Sequence, residues 1–465
     1  MVFEASERRT EKFPIPASVS MILGLFEASG HEAYIAGGAV RDMLLGLVPH
    51  DFDISSSCSP DETAAILAGR GIRYLDNASV HGTVTAVLED GNIEITTFRV
   101  DGKYSDLRRP DSVTFAGSIE EDVRRRDFTI NSLYMDKDGT VRDITGGISD
   151  LEAGLIRTVG DPEERFGEDA LRILRAMRFA SRFGFRIEDG TFAAMEKCAD
   201  ELRKISSERI AAELSGIICG KDAPGVIRRC WKILSVIIPE IALCHGFDQH
   251  SQFHDRDCLE HTLDVLEGIP LEEKEGYLPS RDLILAMSAL LHDLGKPECF
   301  KLDLNGTGHM KGHPEASRRI AERVLTELKY PAAFTRDVCK LVTFHDIFTP
   351  QDKSAVHRFL CELGPDLYGK LKILQRADIM AHSELGRKRI RRLEYMSEIA
   401  DGLMESGAVF AVKDLEISGS DVISLGCPEG PEVGKILNLL FERYLAGEIS
   451  NKREILIKSV KEMIS

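Results

Sequence analysis

Ala33-Tyr34-Ile35-Ala36-Gly37-Gly38-Ala39-Val40-Arg41-Asp42, followed closely by Asp51-Phe52-Asp53-Ile54-Ser55, is the stretch on which the fold turns. The apolar run 33–36 has the length of a strand, and residues 40–47 have the periodicity of an amphipathic helix. Two adjacent glycines between them let the backbone approach phosphates closely, with the free N–H groups of a helix N-terminus behind. A Gly-Gly turn is common by itself. The Asp-x-Asp that follows, read as lying on a second strand, gives it meaning. Side chains alternate along a strand, so Asp51 and Asp53 share a face. Two carboxylates forced together are costly unless a cation neutralises them, which points to Mg²⁺ and a nucleoside triphosphate. Such a pair would activate a hydroxyl and stabilise departing pyrophosphate in an in-line displacement.

Outward from this stretch, residues 16–30 read as a short helix. Residues 52–55, 83–88, 93–98 and 132–135 read as strands, with turn signals at Pro60-Asp61, Asp90-Gly91 and Lys137-Asp138-Gly139. From Glu163 onward the periodicity is helical, with breaks at residues 220–224, 270–279, 302–313 and 425–431. The expected class is α+β: a small head of mixed sheet plus helices, then an elongated all-α remainder. The expected divisions are 1–160 for the head, 161–225 for a neck, 226–385 for a helical body and 386–465 for a helical tail.

A chain of 465 residues is long enough for several domains. It has no stretch approaching the roughly 20 apolar residues of a membrane span. Its charged start reads as no secretory leader, so the expected location is the cytoplasm. Ten cysteines without a C-x-x-C pair agree with a reducing compartment. The formal net charge of −17 does not argue against RNA, because phosphate contacts need only a local basic stripe. Two candidate stripes are Arg124-Arg125-Arg126 and Arg387-Lys388-Arg389-Ile390-Arg391-Arg392.

Around residues 168–179, Leu171, Leu174 and Met177 lie roughly 200° round a helix from Asp169, Arg172 and Arg175. One stripe then packs into the core while the other faces a cavity. Asp169 and Arg172 read either as a salt bridge within the helix or as a hydrogen-bonding template. Cytosine and adenine offer an amine donor beside a ring-nitrogen acceptor, which suits a carboxylate next to a guanidinium. Uracil and guanine present the opposite order.

The strand, Gly-Gly, helix and Asp-x-Asp arrangement resembles the polymerase-β-type nucleotidyltransferases. Further stretches resemble the class II tRNA nucleotidyltransferases, or CCA-adding enzymes: Arg125-Arg126-Asp127-Phe128-Thr129-Ile130-Asn131, Ile156-Arg157-Thr158-Val159-Gly160, Glu168-Asp169-Ala170-Leu171-Arg172-Ile173-Leu174-Arg175, Ile205-Ser206-Ser207-Glu208-Arg209-Ile210 and residues 415–423. The resemblance implies a polymerase-β-type head, two Mg²⁺ ions on catalytic Asp51 and Asp53, and tRNA, CTP and ATP as partners. It implies that Gly37, Gly38, Arg41, Arg126, Asp127, Asn131, Asp169, Arg172, Arg175 and Arg178 bind the nucleotide, with Gly38 and Arg41 at its phosphates. The polar segment 100–110 matches a loop that the family needs to pass from C to A addition. Bacterial poly(A) polymerases share the head but match less well at Glu168-Asp169. An enzyme adding only A, working beside a separate CC-adding enzyme, stays open, as does a head that only delivers RNA. The stripe Arg387, Lys388, Arg391 and Arg392 would meet the tRNA elbow. No obligate protein partner is implied.

A second constellation comprises His261, His292-Asp293 and Asp378, with His313 and His345 between them. Buried nitrogen and oxygen ligands of this kind suit a divalent transition metal. The set resembles the HD-domain phosphohydrolases, with His313 and His345 matching positions that hold a second metal. His254-Asp255 and His345-Asp346 show how easily the dipeptide arises alone.

Overall fold

The computed structural model describes residues 6–9, 15–78, 82–102, 113–347 and 352–464. Its N-terminal part is organised by a mixed sheet of eight strands in the order β1-β8-β7-β2-β3-β6-β5-β4. The strands are β1 (Ser6–Arg9), β2 (Ala33–Ala36), β3 (Asp53–Ser56), β4 (Arg73–Ala78), β5 (Thr83–Leu88), β6 (Gly91–Thr97), β7 (Leu133–Met135) and β8 (Thr140–Asp143). Strands β2 and β3 are antiparallel with Ala36 opposite Asp53. Strand β3 runs parallel to β6, which sets Asp53 beside Glu94. The glycine turn after β2 and two carboxylates therefore meet at one end of the sheet.

Helices α1 (Ala17–Ala28), α2 (Gly38–Leu44) and α3 (Pro60–Gly69) cover the sheet. Ile22, Phe26, Val40, Met43 and Leu67 pack with Ile35, Ile54 and Ile95 in one apolar core. This burial supplies most of the driving force for the head. Strand β3 begins only at Asp53, so Asp51 lies in the approach to the strand rather than on it. Pro60-Asp61 is not a turn but the first helical turn of α3. Ser59 accepts from the Glu62 N–H and the Glu62 side chain returns to Ser59, a capping box with proline at the first position. Strands β4 and β8 escape the sequence reading. Strand β4 has the polar sequence Arg-Tyr-Leu-Asp-Asn-Ala, and β8 is short, formed by a hairpin through Gly139 at φ +82°.

The helix expected across residues 168–179 is two helices, α4 (Pro162–Glu168) and α5 (Leu171–Phe183). Asp169 is extended between them at φ −143° and ψ 101°, and its Oδ1 accepts the Leu171 N–H at 3.0 Å. Aspartate competes for backbone donors in this way, which favours a cap over a helix interior.

The chain folds into two compact units. The first comprises residues 1–242, 270–283 and 327–330, and so joins the head to the helices after it. Its last piece is tied to α6 (Ser207–Cys219): Tyr330 donates to the Ala211 carbonyl at 3.0 Å and pairs with Ser215 Oγ at 2.8 Å. The second unit comprises residues 243–269, 284–326 and 331–465. Within it, Leu415, Ile417, Val422, Leu440, Leu456 and Val460 form a separate apolar cluster near the C-terminus. The basic run is not one helix. It spans the end of a short helix, Glu384–Arg387, and the start of another, Ile390–Glu405. Lys388 and Arg389 turn the chain with N–H groups bonded three residues back. Among the described residues no helix is long and apolar enough to cross a membrane.

Replacing Ser59 by Ala should cost about 1 kcal/mol by removing the α3 cap. Urea unfolding should show a lower midpoint with an unchanged slope.

Candidate active site and buried metal cluster

At the sheet end, surrounding protein and the charges of Asp51 and Glu94 push the Asp53 carboxyl up to about 6, against the lowering influence of Arg126. Crowding of carboxylates is what a divalent cation relieves; here Asp51 and Glu94 act on Asp53 through their charge. Gly37 stands beside them at φ +70°, and a Cβ there would lie 3.2 Å from Arg126 Nη1 and 3.3 Å from the Asn131 carbonyl. Both the backbone angle and the space call for glycine. Arg126 is held by Ser55 Oγ at 2.9 Å and Asp122 Oδ2 at 3.1 Å, above the Tyr134 ring.

Arg41 packs beside the glycine turn, its Nη2 3.7 Å from where a Gly38 Cβ would stand. Its guanidinium is buried, donating to Asp42 Oδ1 at 2.6 and 2.8 Å and to Asn131 Oδ1, against the Phe179 and Phe183 rings. It ties α2 to α5.

The polar stripe of α5 meets carboxylates along its length. Arg175 grips Asp127 Oδ2 with Nε at 2.9 Å and Nη2 at 2.6 Å, while Asn131 and the Phe128 N–H hold Asp127 Oδ1. Burial would raise the Asp127 carboxyl, but the charge and hydrogen bonds of Arg175 outweigh it and hold it at about 2. Arg178 pairs with Glu213 on α6 at 2.6 Å. Arg172 donates to Glu168 at 2.6 Å and to the Arg165 and Arg125 carbonyls at 3.0 Å each. Asp169 is held by Arg209 at 2.6 Å. Of the two readings of Asp169 and Arg172, the salt bridge within a helix does not form: each side chain bridges to another partner, because Asp169 has left the helix.

The second unit gathers all six residues of the other constellation. His261, His292, Asp293 and Asp378 form one buried group of donor atoms, and Asp293, His313 and His345 form an overlapping one. His292, His313 and His345 direct Nδ1 to the carbonyls of Ala289, Met310 and Val342 at 2.8, 3.0 and 2.7 Å. Each Nδ1 must donate, so each Nε2 presents a lone pair. These lone pairs face an acceptor: Asp293 lies 3.1 Å from His292 Nε2, 3.3 Å from His313 Nε2 and 3.6 Å from His345 Nε2. The two nitrogens of His313 and His345 are only 3.2 Å apart. Acceptors facing acceptors need a cation between them, and this donor set fits a divalent transition metal. Burial pushes His345 down to about 4, so it is neutral and free to ligate.

Residues 33–157 match the poly A polymerase head domain, residues 184–244 the probable RNA and SrmB- binding site of polymerase A, and residues 258–383 the HD domain. A CCA-adding enzyme of Limosilactobacillus fermentum is 33% identical over 445 residues, which cover 95% of this chain and 96% of that one. A CCA-adding enzyme of Leuconostoc mesenteroides is 32% identical, with 96% of each chain covered. This chain belongs to the CCA-adding enzyme family. The crystal structure of the Bacillus stearothermophilus CCA-adding enzyme in complex with CTP agrees, at a TM-score of 0.67, 26% identity and 96% coverage of both chains.

As a family member the chain is a transferase that also carries an HD domain. Sequence reasoning missed several residues that hold this site. Asp122 accepts from Arg125, Arg126 and Tyr134, and Glu213 holds Arg178. Gly216 leaves room for Arg178, whose Cδ would lie 2.4 Å from a Cβ there. Glu213 carries no local motif because Arg178 is 35 residues away, whereas Asp122 pairs three and four residues along the chain with Arg125 and Arg126. His382 lies beside His254, ring centroids 4.4 Å apart, and beside His261. Of the segment 100–110, residues 103–110 lie outside the described residues; Arg99–Asp101 and Val113–Phe115 pair antiparallel.

The low pKa of Asp127 has a testable sign. A depressed carboxyl adds stability above its unfolded value near 4, and that stability fades as pH falls towards 2. Asp127→Asn should therefore cost about 2 kcal/mol at pH 7. In urea titrations its stability should also change less than the parent's between pH 5 and pH 2.

Proposed function

We propose that this chain adds C, C and A to the 3′ end of tRNA from CTP and ATP, without a nucleic-acid template, by two-metal-ion nucleotidyl transfer. The observation that carries the reading is the meeting of Asp51, Asp53 and Glu94 beside the Gly37 turn in a chain that matches CCA-adding enzymes along nearly its whole length. Mg²⁺ held by Asp51 and Asp53 would supply a Lewis acid for the triphosphate and the attacking 3′-hydroxyl. The protein's own part is positioning. Arg126 brings positive charge to the same end of the sheet, and Arg175, fixed by Asp127, supports the wall behind it.

Base choice belongs to Asp169 and Arg172. With a nucleotide present, Asp169 accepts from the exocyclic amine and Arg172 donates to the ring nitrogen, as cytosine and adenine require. Arg209 and Glu168 act as positioning residues that hold the two side chains ready. The HD cluster adds a metal-dependent phosphohydrolase activity. Addition of A alone remains the second reading. The deciding assay supplies CTP, ATP or both with tRNA ending before CCA or after CC. Growth only on the CC end would establish the A-only enzyme, and growth on neither would end the transferase reading.

Asp53→Ala should lower transfer by several orders of magnitude while tRNA affinity and thermal unfolding change little. Vigorous incorporation by the folded variant would remove the two-metal assignment.

Asp169→Ala or Arg172→Ala should lower discrimination against U and G by about 1–3 kcal/mol, more than it slows any one transfer. Nucleotide competition on each variant reads this directly, and preserved selectivity would leave the pair as structural ion pairs.

A further inference from the structure

We propose that the recess beside the HD cluster contains an oxyanion subsite for a phosphate ester, and that Arg389 and Arg392 of the basic run belong to it. The inference rests on the phosphohydrolase reading of that cluster and supplies its substrate-binding wall. A cavity of about 540 Å³ is lined on one side by Asp293, His313, His345 and Asp378. His254, His382 and Arg389 line it as well. A second cavity of about 430 Å³ shares Phe253, His254, Asp346, His382 and Arg389 with the first and adds Arg392. The shared lining makes them one recess, running from the metal-ligating side chains to a basic mouth.

The mouth is built rather than incidental. Arg389 forms an ion pair with Asp346, the residue after His345, and so is fixed relative to the cluster. His382 Nδ1 donates to the Asp378 carbonyl at 2.7 Å, which anchors its ring. His254 lies against it with a buried Nδ1 that has no hydrogen-bond partner. Phe253, 43% exposed, offers a ring face at the opening. A phosphate ester held by metal ions through some of its oxygens turns the others towards this wall. Guanidinium groups match paired phosphate oxygens better than any other side chain.

Within the basic run Arg387, Lys388, Arg391 and Arg392 are all exposed, and Arg387 Nε donates to the Met380 carbonyl at 3.0 Å. Arg389 and Arg392 line the recess. Asp346 competes with an incoming phosphate for Arg389, which makes it a restraint on affinity as well as an anchor.

The test uses full-length protein loaded with Mn²⁺, inorganic phosphate as calorimetric probe and p-nitrophenyl phosphate as substrate. Arg389→Ala and Arg392→Ala should each weaken phosphate binding about tenfold and raise KM by a similar factor. The Mn²⁺ stoichiometry, kcat and CCA addition should stay near the parent values. Asp346→Asn should tighten phosphate binding, which loss of a merely structural ion pair would not do. Unchanged phosphate affinity in both arginine variants, with Mn²⁺ still bound, overturns the subsite. So does weaker tRNA binding with phosphate affinity intact, which would return both arginines to RNA. A parent protein that binds neither Mn²⁺ nor phosphate overturns the phosphohydrolase reading itself.

Discussion

The grip of Arg175 on buried Asp127 is the interaction on which the first unit depends. One carboxylate accepts two guanidinium hydrogen bonds from α5 and, through its other oxygen, fixes the Phe128 N–H and Asn131. Asn131 in turn receives Arg41, which reaches across from α2 to lie against two stacked phenylalanines of α5. A buried charge is tolerated only when paired and fully hydrogen-bonded, so these contacts stand or fall together. They lock that end of the sheet to the helices that follow it. The head and the helices flanking Asp169 and Arg172 thus belong to one compact unit.

The HD cluster uses a different device. Three histidines each give Nδ1–H to a carbonyl three residues earlier, so that the turn of backbone bearing the ring also sets its tautomer. The lone pairs then converge on Asp293 without help from any outer carboxylate. Lys296 Nζ, 2.6 Å from Asp293 Oδ2, balances part of the charge. This is an economical way to build a ligand set from short local contacts.

Much of this was legible in the sequence, for reasons that also mark where legibility ends. Strand β5 has the residues its alternation indicates, and the glycine turn announces itself by composition. All six HD positions come together although 117 residues separate His261 from Asp378. What the pattern misses is decided by tertiary pairing or by local competition for backbone donors. Asp169 reads as helical by spacing but takes a cap conformation. Strand β4 has no apolar alternation and exists because β5 offers it an edge. Ser59 and Glu62 spell out a capping box that outranks the turn suggested by Pro60-Asp61. Glu213 carries no signal of its own, since its partner Arg178 lies 35 residues back, and Arg209 sits in a recognisable stretch whose partner Asp169 is 40 residues away.

The closing contacts of the first unit have a consequence for its birth on the ribosome. Tyr330 and its neighbours complete a surface of α6 that is made more than a hundred residues earlier, and most of the intervening chain belongs to the other unit. At ordinary elongation speeds the exposed face of α6 waits on the order of ten seconds for its cover. Contacts of such long range are slow to close and leave apolar surface uncovered meanwhile. Vectorial synthesis therefore leaves the transferase frame unsealed until part of the HD unit has emerged, and the two units mature in overlapping time rather than one after the other.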